Sequence, residues 1–239
     1  MLGIVTVVYN QLSYVKATID AVLEKTKPPY VYYIIYNQAP YPGVLEYLRS
    51  LKGVILIENK ENVGITRALK QGYELIKEAN IELMVKVDDD TVVQTDDWNQ
   101  KFIRAFMSFE SLGILSADID TGKQVGPSKM AVKNGLGIEQ FLNPCVGGGF
   151  TAYPTKLFDH IGFFKEFGYY GQEDGEFANR ASNAGLQTGY LQNVKVKHLG
   201  RTKESDQDYD AWKLLYWNKQ TELDYPEWKK TLERKEIVK

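Results

Sequence analysis

Leu83-Met84-Val85-Lys86-Val87-Asp88-Asp89-Asp90 is the stretch that decides the fold class of this chain. Its apolar first part predicts a buried strand, and three consecutive carboxylates follow at the carboxyl end of that strand. Burying three uncompensated carboxylates is expensive, so they need a cation or full solvation. Ligands of open α/β sheets bind beyond the carboxyl ends of the strands. The stretch therefore predicts a divalent metal that holds an anionic ligand. The competing interpretation is a solvated acidic turn that only caps the next helix.

Strands and helices alternate on the amino-terminal side of this stretch. The predicted strands are 2–9, Tyr30–Tyr36, Val54–Ile57 and the run that ends in the aspartates, and the predicted helices begin near Leu12, Val44 and Gly64. Four such units predict an α/β fold, a single domain with a mostly parallel central sheet flanked by helices. Neither the G-x-G-x-x-G nor the G-x-x-x-x-G-K-[S/T] phosphate fingerprint is present.

The second half of the chain has weaker periodicity. Asp118–Asn143 is rich in Gly, Lys, Asn and Ser, which predicts a long mobile loop of the kind that forms lids. Val146–Tyr153 is interrupted by glycines and predicts a strand that a ligand can approach closely. The other predicted elements are a helix over 98–109, a strand over Gly113–Ala117, helices over Pro154–His160 and Glu173–Ala184, two short strands over Leu186–Leu191 and Val194–Lys197, and a helix from Asp206.

Composition narrows the class of protein. The chain has 239 residues, a net charge of −2 and one cysteine, Cys145, so an internal disulfide is excluded and a reducing compartment such as the cytoplasm is expected. No apolar run approaches the roughly 20 residues that span a bilayer, so no integral membrane segment is expected. The Trp- and Lys-containing tail leaves peripheral contact with a membrane open, although a helix packed on the domain is the commoner case.

Three further segments carry candidate chemistry. Glu173-Asp174 stands at a predicted helix start, where it either caps the helix or presents carboxylates to a pocket. His198 follows a short strand and precedes a glycine, and a lone histidine is more often structural than a ligand. Asn62-Val63-Gly64, with Arg67 one turn later, is a good helix start whose amides and guanidinium can also meet a phosphate.

The order of these segments resembles the family-2-like glycosyltransferases of the GT-A fold over roughly residues 2–200. The matching segments are Val5–Asn10 as the opening strand, Asn62-Val63-Gly64 with Arg67 and Ala68, Asp88-Asp89-Asp90 as the DxD motif, Gly147–Tyr153, Ile161–Phe164, Tyr170–Asp174 with Phe177 and Arg180, and Val196-Lys197-His198. The DxD motif alone is weak, but DxD, Glu-Asp and a late His in this order are fairly specific.

The resemblance implies a metal-dependent transfer of a sugar from a nucleotide-sugar, expected to be a UDP-sugar, to an acceptor hydroxyl with inversion. Asp174 is then the general base beside Glu173, and Mn²⁺ or Mg²⁺ is held by Asp90 and His198 with Asp88. The predicted donor-binding residues are Thr6, Tyr9, Asn10, Asn37, Asn62, Gly64, Arg67, Asp88, Asp89, Gly148 and Gly149. A polysaccharide, a lipid-linked glycan, a protein and a nucleic-acid base all stay open as acceptors, and the oligomeric state is not predicted.

The chain also departs from the family pattern. Where the family has an acidic residue after the second strand, this chain has Tyr36-Asn37-Gln38, which leaves the nucleobase open. The alternative functions are a sugar-1-phosphate nucleotidyltransferase, whose glycine-rich signature is missing after the first strand, and a non-catalytic binding module on the same fold. The predicted domain is 1–205, with a nucleotide-sugar-binding half over 1–117 and an acceptor half over 118–205, followed by a helical tail over 206–239.

Overall fold

The computed structural model describes residues 1–120, 126–142, 146–200 and 206–237, with side chains to residue 232. Cys145, the last residues of the predicted 1–205 domain and parts of the predicted 118–143 loop lie outside the described residues.

The strands are β1 Leu2–Val8, β2 Tyr30–Tyr36, β3 Ile55–Glu58, β4 Leu83–Val87, β5 Thr91–Val93, β6 Leu112–Ile119, β7 Ser128–Lys133, β8 Leu136–Phe141, β9 Phe150–Pro154 and β10 Gln187–His198. The helices are α1 Leu12–Lys25, α2 Val44–Ser50, α3 Ile65–Glu78, α4 Trp98–Ser108, α5 Thr155–Ile161, α6 Glu173–Asn183, α7 Gln207–Trp217 and α8 Tyr225–Ile237.

The described strands form one sheet in the order β3-β2-β1-β4-β9-β6-β10-β8-β7, and β5 pairs with β10. The strands β3, β2, β1 and β4 are parallel to one another, as the strand–helix alternation predicts. Strand β9 runs antiparallel between β4 and β6, and β6 is parallel to β10. The predicted α/β domain with a central sheet flanked by helices is confirmed.

Strand β1 and helix α3 approach closely because each contributes a glycine at the contact. A Cβ on Gly72 of α3 would lie 2.7 Å from a methyl of Val5, and a Cβ on Gly3 would lie 2.6 Å from the side chain of Ile76. All seven residues of β1 are buried. The close contact fixes the start of α3 relative to the carboxyl end of β1, where polar residues of the candidate site lie.

The prediction of a loop over residues 118–143 is wrong for much of that segment. Strand β6 continues to Ile119, and β7 and β8 form an antiparallel hairpin. Asn134 and Gly135 connect the two strands with φ values of 52° and 74°, and Asn-Gly is a favoured pair for such a turn. Strand β7 is at the edge of the sheet and is almost entirely exposed, so its sequence lacks the apolar alternation that marks a half-buried strand.

The prediction of two short strands over Leu186–Leu191 and Val194–Lys197 is also wrong, because β10 is continuous. Its register with β6 shifts between Leu191 and Lys195, and the polar residues of that bulge interrupt the apolar pattern. Asn193 accepts a hydrogen bond from the amide of Gly137 at 2.8 Å, so the polar side chain at the bulge is used.

The short strand β5 was not predicted from the sequence, and it positions the site. It pairs antiparallel with the end of β10, with Thr91 opposite His198. The amide of Leu199 donates to the carbonyl of Asp90 at 2.7 Å. This pairing brings His198 beside the aspartates that follow β4.

The carboxy-terminal helices pack on the domain through a second aromatic cluster. Trp212 of α7 is buried with Tyr9, Tyr209 and Tyr225. Asp206 begins α7 by accepting hydrogen bonds from the amides of Asp208 and Tyr209, as an N-cap residue does. Within the described part of the chain, none of the helices has the length and apolar character needed to cross a bilayer.

We expect Gly72→Ala to lower the free energy of unfolding by about 1–3 kcal/mol, although Ala is the better helix former, because the added methyl overpacks the contact with β1. Urea unfolding followed by circular dichroism measures the change. The matched control is Lys70→Ala on the exposed side of α3, which is expected to stay within about 0.5 kcal/mol of wild type. Equal stabilities of the two variants would contradict this packing.

Candidate functional site

A cleft of about 570 Å³ opens at the carboxyl ends of β1 and β4. Helix α6 contributes its first residue, and α7 forms the facing wall. The polar lining residues are Tyr9, Asn10, Asn37, Asn62, Lys86, Asp88, Asp89, Asp90, Tyr169, Tyr170, Glu173, His198, Tyr209, Asp210 and Lys213, and the apolar ones include Val7, Ile65, Trp212, Leu214 and Trp217. The structure therefore gathers the three aspartates, Glu173 and His198 around one cavity.

Asp89, the middle residue of the triplet, holds the end of β1. Its Oδ2 accepts hydrogen bonds from the backbone amides of Tyr9 and Asn10, both at 2.7 Å. Burial raises the pKa of Asp89 to about 7, with a further contribution from Asp90, although the two amides act in the opposite direction. One oxygen of this predicted donor-binding residue is thus already used to join β1 to the segment after β4.

Asp90 and His198 face each other across the β5–β10 pairing. The distance from His198 Nε2 to Asp90 Oδ1 is 3.6 Å, and His198 Nδ1 is buried without a hydrogen-bond partner among the described residues. A Cβ on Gly200 would lie 2.2 Å from Asp90 Oδ2, so glycine leaves space for that carboxylate. Burial raises the pKa of Asp90, while His198 and Lys213 act to lower it. A carboxylate and an imidazole in this arrangement fit a divalent cation.

The described residues do not form a complete metal cage. No group of three or more His, Cys, Asp or Glu residues within the described ranges is close enough to hold a metal ion by itself. A cation bound by one or two side chains completes its shell with water and substrate phosphate oxygens, as is usual at phosphate-binding sites. Asp90 and His198 therefore fit as two ligands of a metal ion whose other ligands include the phosphate oxygens of a bound molecule.

Lys86 lies at the centre of a cluster of acids, with only 2% of its side chain exposed. Its Nζ is 3.0 Å from Asp174 Oδ2, 3.1 Å from Asp88 Oδ1 and 3.7 Å from Glu173 Oε1. It also donates to the carbonyl of Gly148 at 3.2 Å. Burial alone acts to lower the pKa of Lys86, but the three carboxylates raise it well above its ordinary value. Lys86 is therefore a charged residue that neutralises the acids around it.

The two acids at the start of α6 differ in environment. The Asp174 side chain is 23% exposed and the Glu173 side chain only 7%. Glu173 Oε2 is buried without a partner among the described residues, and burial raises the pKa of Glu173 to about 7. Asp174 also accepts from the hydroxyl of Tyr153 at 3.5 Å, and its pKa is raised mainly by burial. The lining of the cleft includes Glu173 and not Asp174.

A network of amide side chains occupies the other end of the cleft. Asn37 donates to Asn62 at 2.6 Å, and Asn62 donates to Asp224 at 2.9 Å. The hydroxyl of Tyr9 also donates to Asp224, at 2.7 Å. Three predicted donor-binding residues thus meet here, and a residue of the carboxy-terminal segment holds two of them.

The remaining predicted donor-binding residues lie outside the lining of the cleft. Thr6 is fully buried and its hydroxyl is 2.9 Å from that of Tyr32, because alternate side chains of β1 face opposite sides of the sheet. Arg67 is exposed and pairs with Glu166 at 2.8 Å. Gly64 packs against the backbone of Gly168, where a Cβ would lie 2.5 Å from the carbonyl oxygen.

Gly148 and Gly149 act through their backbones. A Cβ on Gly148 would lie 1.8 Å from Asp174 Oδ2, so only glycine permits the approach of this acid. The carbonyl of Gly149 accepts from the amide of Asp88 at 2.8 Å, which continues the β4–β9 pairing into the aspartates. Both glycines therefore support the acidic residues.

Two groups of functional residues were not found from the sequence. Lys86 carried a signal, since a lysine within an apolar strand needs an acidic partner. The α7 residues that line the cleft, among them Tyr209, Trp212 and Lys213, carried none, because their approach to the cleft depends on how the carboxy-terminal helices dock.

Comparisons with known proteins show the family and the fold of this chain. A family model described as glycosyl transferase family 2 matches residues 3–162, more than half of the chain. No curated protein matches the chain. Solved structures also resemble the chain, and those described here are below 25% identical, so they show the fold alone.

Three of these structures are complexes. GalNAc-T7 with UDP, GalNAc and Mn²⁺ has a TM-score of 0.67 and 15% identity, over 94% of this chain and 52% of that one. The mannosyltransferase PcManGT from Pyrobaculum calidifontis with GDP-Man and Mn²⁺ has a TM-score of 0.65 and 15% identity, over 88% and 59%. S. aureus TarS 1-349 with UDP-GlcNAc has a TM-score of 0.57 and 16% identity, over 95% and 68%. The chain thus spans only about half of the first structure's length.

We expect Glu173→Gln to raise the free energy of unfolding at pH 8, without added metal, by about 1–3 kcal/mol. The pKa of Glu173 is about 7 in the folded protein and about 4.3 in an unfolded chain. The folded state therefore binds more protons between those values, and ionisation of Glu173 costs stability as the pH rises through that window. Urea titrations at pH 5 and pH 8 measure the difference, which should shrink at pH 5. If Glu173→Gln were less stable than wild type at pH 8, the attraction between Lys86 and the ionised Glu173 would outweigh the cost of burying that charge.

Proposed function

This chain belongs to glycosyl transferase family 2, and we propose that it is a metal-dependent glycosyltransferase that moves a sugar from a nucleotide-sugar to an acceptor hydroxyl. The observation that carries the proposal is the meeting of Asp90 and His198, far apart in sequence, in the cleft that also holds the amide network. The proposed nucleoside site and the proposed cation site then lie along one cavity, whose lining also includes Glu173, the neighbour of Asp174 in the chain.

The charge of the cleft explains why a cation is needed. Its lining carries five carboxylates against two lysines and one histidine. Lys86 is already surrounded by acids, so its charge is compensated within the protein. A diphosphate entering this field meets net repulsion unless a divalent cation accompanies it. The lining carboxylates are Asp88, Asp89, Asp90, Glu173 and Asp210.

Asp90 and His198 would hold the cation, and Mn²⁺ and Mg²⁺ both fit the proposal. When bound, the metal neutralises the charge that develops on the departing nucleoside diphosphate. The GalNAc-T7 and PcManGT complexes both contain Mn²⁺. Asp89 keeps the end of β1 in place beside the metal residues through its two backbone hydrogen bonds.

Asp174 is the proposed general base. Its side chain is more exposed than that of Glu173, although Glu173 is the one of the two acids that lines the cleft. Lys86 and the hydroxyl of Tyr153 contact its two oxygens, and the lack of a side chain at Gly148 leaves space for this carboxylate. Asp174 takes the proton of the hydroxyl as that oxygen attacks the anomeric carbon, and direct attack opposite the diphosphate inverts that carbon. Glu173 lines the cleft, and its Oε1 lies 3.7 Å from Lys86 Nζ.

Asn37 and Asn62 are the proposed contacts of the nucleoside. Their amides can both donate to and accept from the edge of a base, whereas the acid common in the family can only accept. A UDP-sugar is the proposed donor, and two of the neighbouring complexes contain UDP or UDP-GlcNAc while a third contains GDP-Man. A thermal-shift panel of UDP, GDP and their sugars with Mn²⁺ distinguishes these donors.

We expect Asp90→Ala to abolish the Mn²⁺-dependent part of nucleoside diphosphate binding, because the variant loses the carboxylate that faces His198. Calorimetric titration with UDP and with GDP, each with and without Mn²⁺, measures the loss. The matched control is Asp96→Ala in the same segment, which removes an exposed aspartate that pairs with Lys25 and should leave binding unchanged. Retained Mn²⁺-dependent affinity in Asp90→Ala would refute the proposed cation site.

We expect Asp174→Asn to lower kcat by about 10²–10⁴-fold while leaving the affinity for the donor unchanged, because the amide keeps the shape but accepts no proton. Release of nucleoside diphosphate from UDP- and GDP-sugars with Mn²⁺ gives kcat, and calorimetry gives the affinity. Glu173→Gln serves as the comparison and should lose less activity. Full activity in Asp174→Asn together with a large loss of activity in Glu173→Gln would identify Glu173 as the general base instead.

A further inference from the structure

We propose that Lys213 of helix α7 binds the diphosphate of the donor, so that the carboxy-terminal helices form part of the donor site. This inference rests on the proposed function and deepens it. Lys213 lies beyond the residues that the family model matches, which end at 162. No motif in the chain pointed to it, and it is identified only by its position in the folded protein.

The first argument is the location of the ammonium group. Lys213 lines the same cleft as Asp90 and His198, and only 18% of its side chain is exposed. Its Nζ is 4.5 Å from the ring centroid of Tyr209 and 5.7 Å from that of Tyr170. Contact with the ring faces stabilises the positive charge, but it does not provide hydrogen-bond acceptors for the N–H groups of Lys213. Lys213 therefore carries a largely buried charge at the wall of the cleft that is proposed to bind the diphosphate.

The second argument is the weakness of its ionic contacts. Among the described residues, the nearest carboxylate oxygen is Asp210 Oδ1 at 3.6 Å, beyond hydrogen-bond distance, and the Asp210 side chain is itself 40% exposed. The Lys213 ammonium makes no hydrogen bond to any described residue. A buried ammonium without hydrogen bonds is costly, and an anionic ligand that accepts those bonds removes the cost.

The third argument is that the other basic groups of the cleft are occupied. Lys86 donates to Gly148 and Asp174 and also faces Asp88. His198 is committed to the proposed cation site beside Asp90. Of the cleft residues that the structure describes, Lys213 is thus the cation whose donors are still available to a ligand.

The fourth argument is that α7 is firmly placed relative to the nucleoside end of the cleft. Asp206 at the start of α7 accepts from the hydroxyls of Tyr41 at 2.9 Å and Tyr225 at 2.8 Å. Asp224, between α7 and α8, accepts from Tyr9 and Asn62. Asp206 before α7 and Asp224 before α8 thus attach this helix pair to the cleft that Lys213 lines.

The test compares Lys213→Met, which keeps the packed stem, with Lys213→Arg, which keeps the charge. Lys219→Met, an exposed lysine near the end of the same helix, is the matched control. Calorimetric titrations use UDP, GDP and UMP with Mn²⁺, and melting temperatures report folding. UMP has one phosphate fewer than UDP, so the ratio of the two affinities isolates the diphosphate.

We expect Lys213→Met to bind the preferred diphosphate roughly ten- to a hundredfold more weakly, the loss of a hydrogen bond to a charged group. If UDP is the preferred diphosphate, the preference of this variant for UDP over UMP should shrink accordingly. Lys213→Arg should recover most of the affinity and Lys219→Met should match wild type. Unchanged diphosphate affinity in Lys213→Met overturns this inference alone. Absence of binding of UDP and GDP by wild type overturns it together with the proposed function.

Discussion

The ammonium group of Lys86 is the interaction on which the acidic site depends. Asp88 and the two acids of α6 come from segments far apart in the chain, and their carboxylates lie within 4 Å of one buried nitrogen. Without that positive charge they would repel one another in a poorly solvated interior. Removing one partner of a buried ion pair is strongly destabilising because the other charge is left uncompensated. Lys86 therefore joins strand β4 to the start of α6 as well as neutralising the site.

The candidate site is assembled from both halves of the chain. The family match covers the parallel strands and the aspartates, whereas Glu173, Asp174, His198 and α7 lie beyond its end. The pairing of β5 with β10 brings the late histidine to Asp90, and the helix pair at the carboxy terminus closes the facing wall. The region outside the family match thus holds the proposed base, one proposed metal ligand and the proposed diphosphate contact. Differences between members of this fold family are expected in such segments, since loops and termini carry specificity.

The sequence predicted those elements whose burial is regular. The bounds of Tyr30–Tyr36 were predicted without error, and the other parallel strands were predicted to within a residue or two, because these strands are apolar runs. The β7–β8 hairpin was missed because its edge strand is exposed and polar, although Asn134-Gly135 signalled a turn. Strand β10 was divided in two because its bulge carries polar residues. In both cases the pattern of apolar and polar residues indicated how exposed the segment is, but not which strand it is hydrogen-bonded to.

By itself, the sequence determined the α/β class, the acidic edge of the sheet and the order of motifs, because apolar periodicity and strand ends are local properties. It did not determine which atoms meet. Thr6 faces the interior, Arg67 faces solvent, and Lys86 joins the acids, since the side of a strand or helix that a residue occupies depends on packing. The cleft wall contributed by α7 depends on hydrogen bonds from Tyr9, Tyr41 and Asn62 to aspartates more than 160 positions later. Such long-range contacts exist only when the chain is folded, and they decided the final shape of the site.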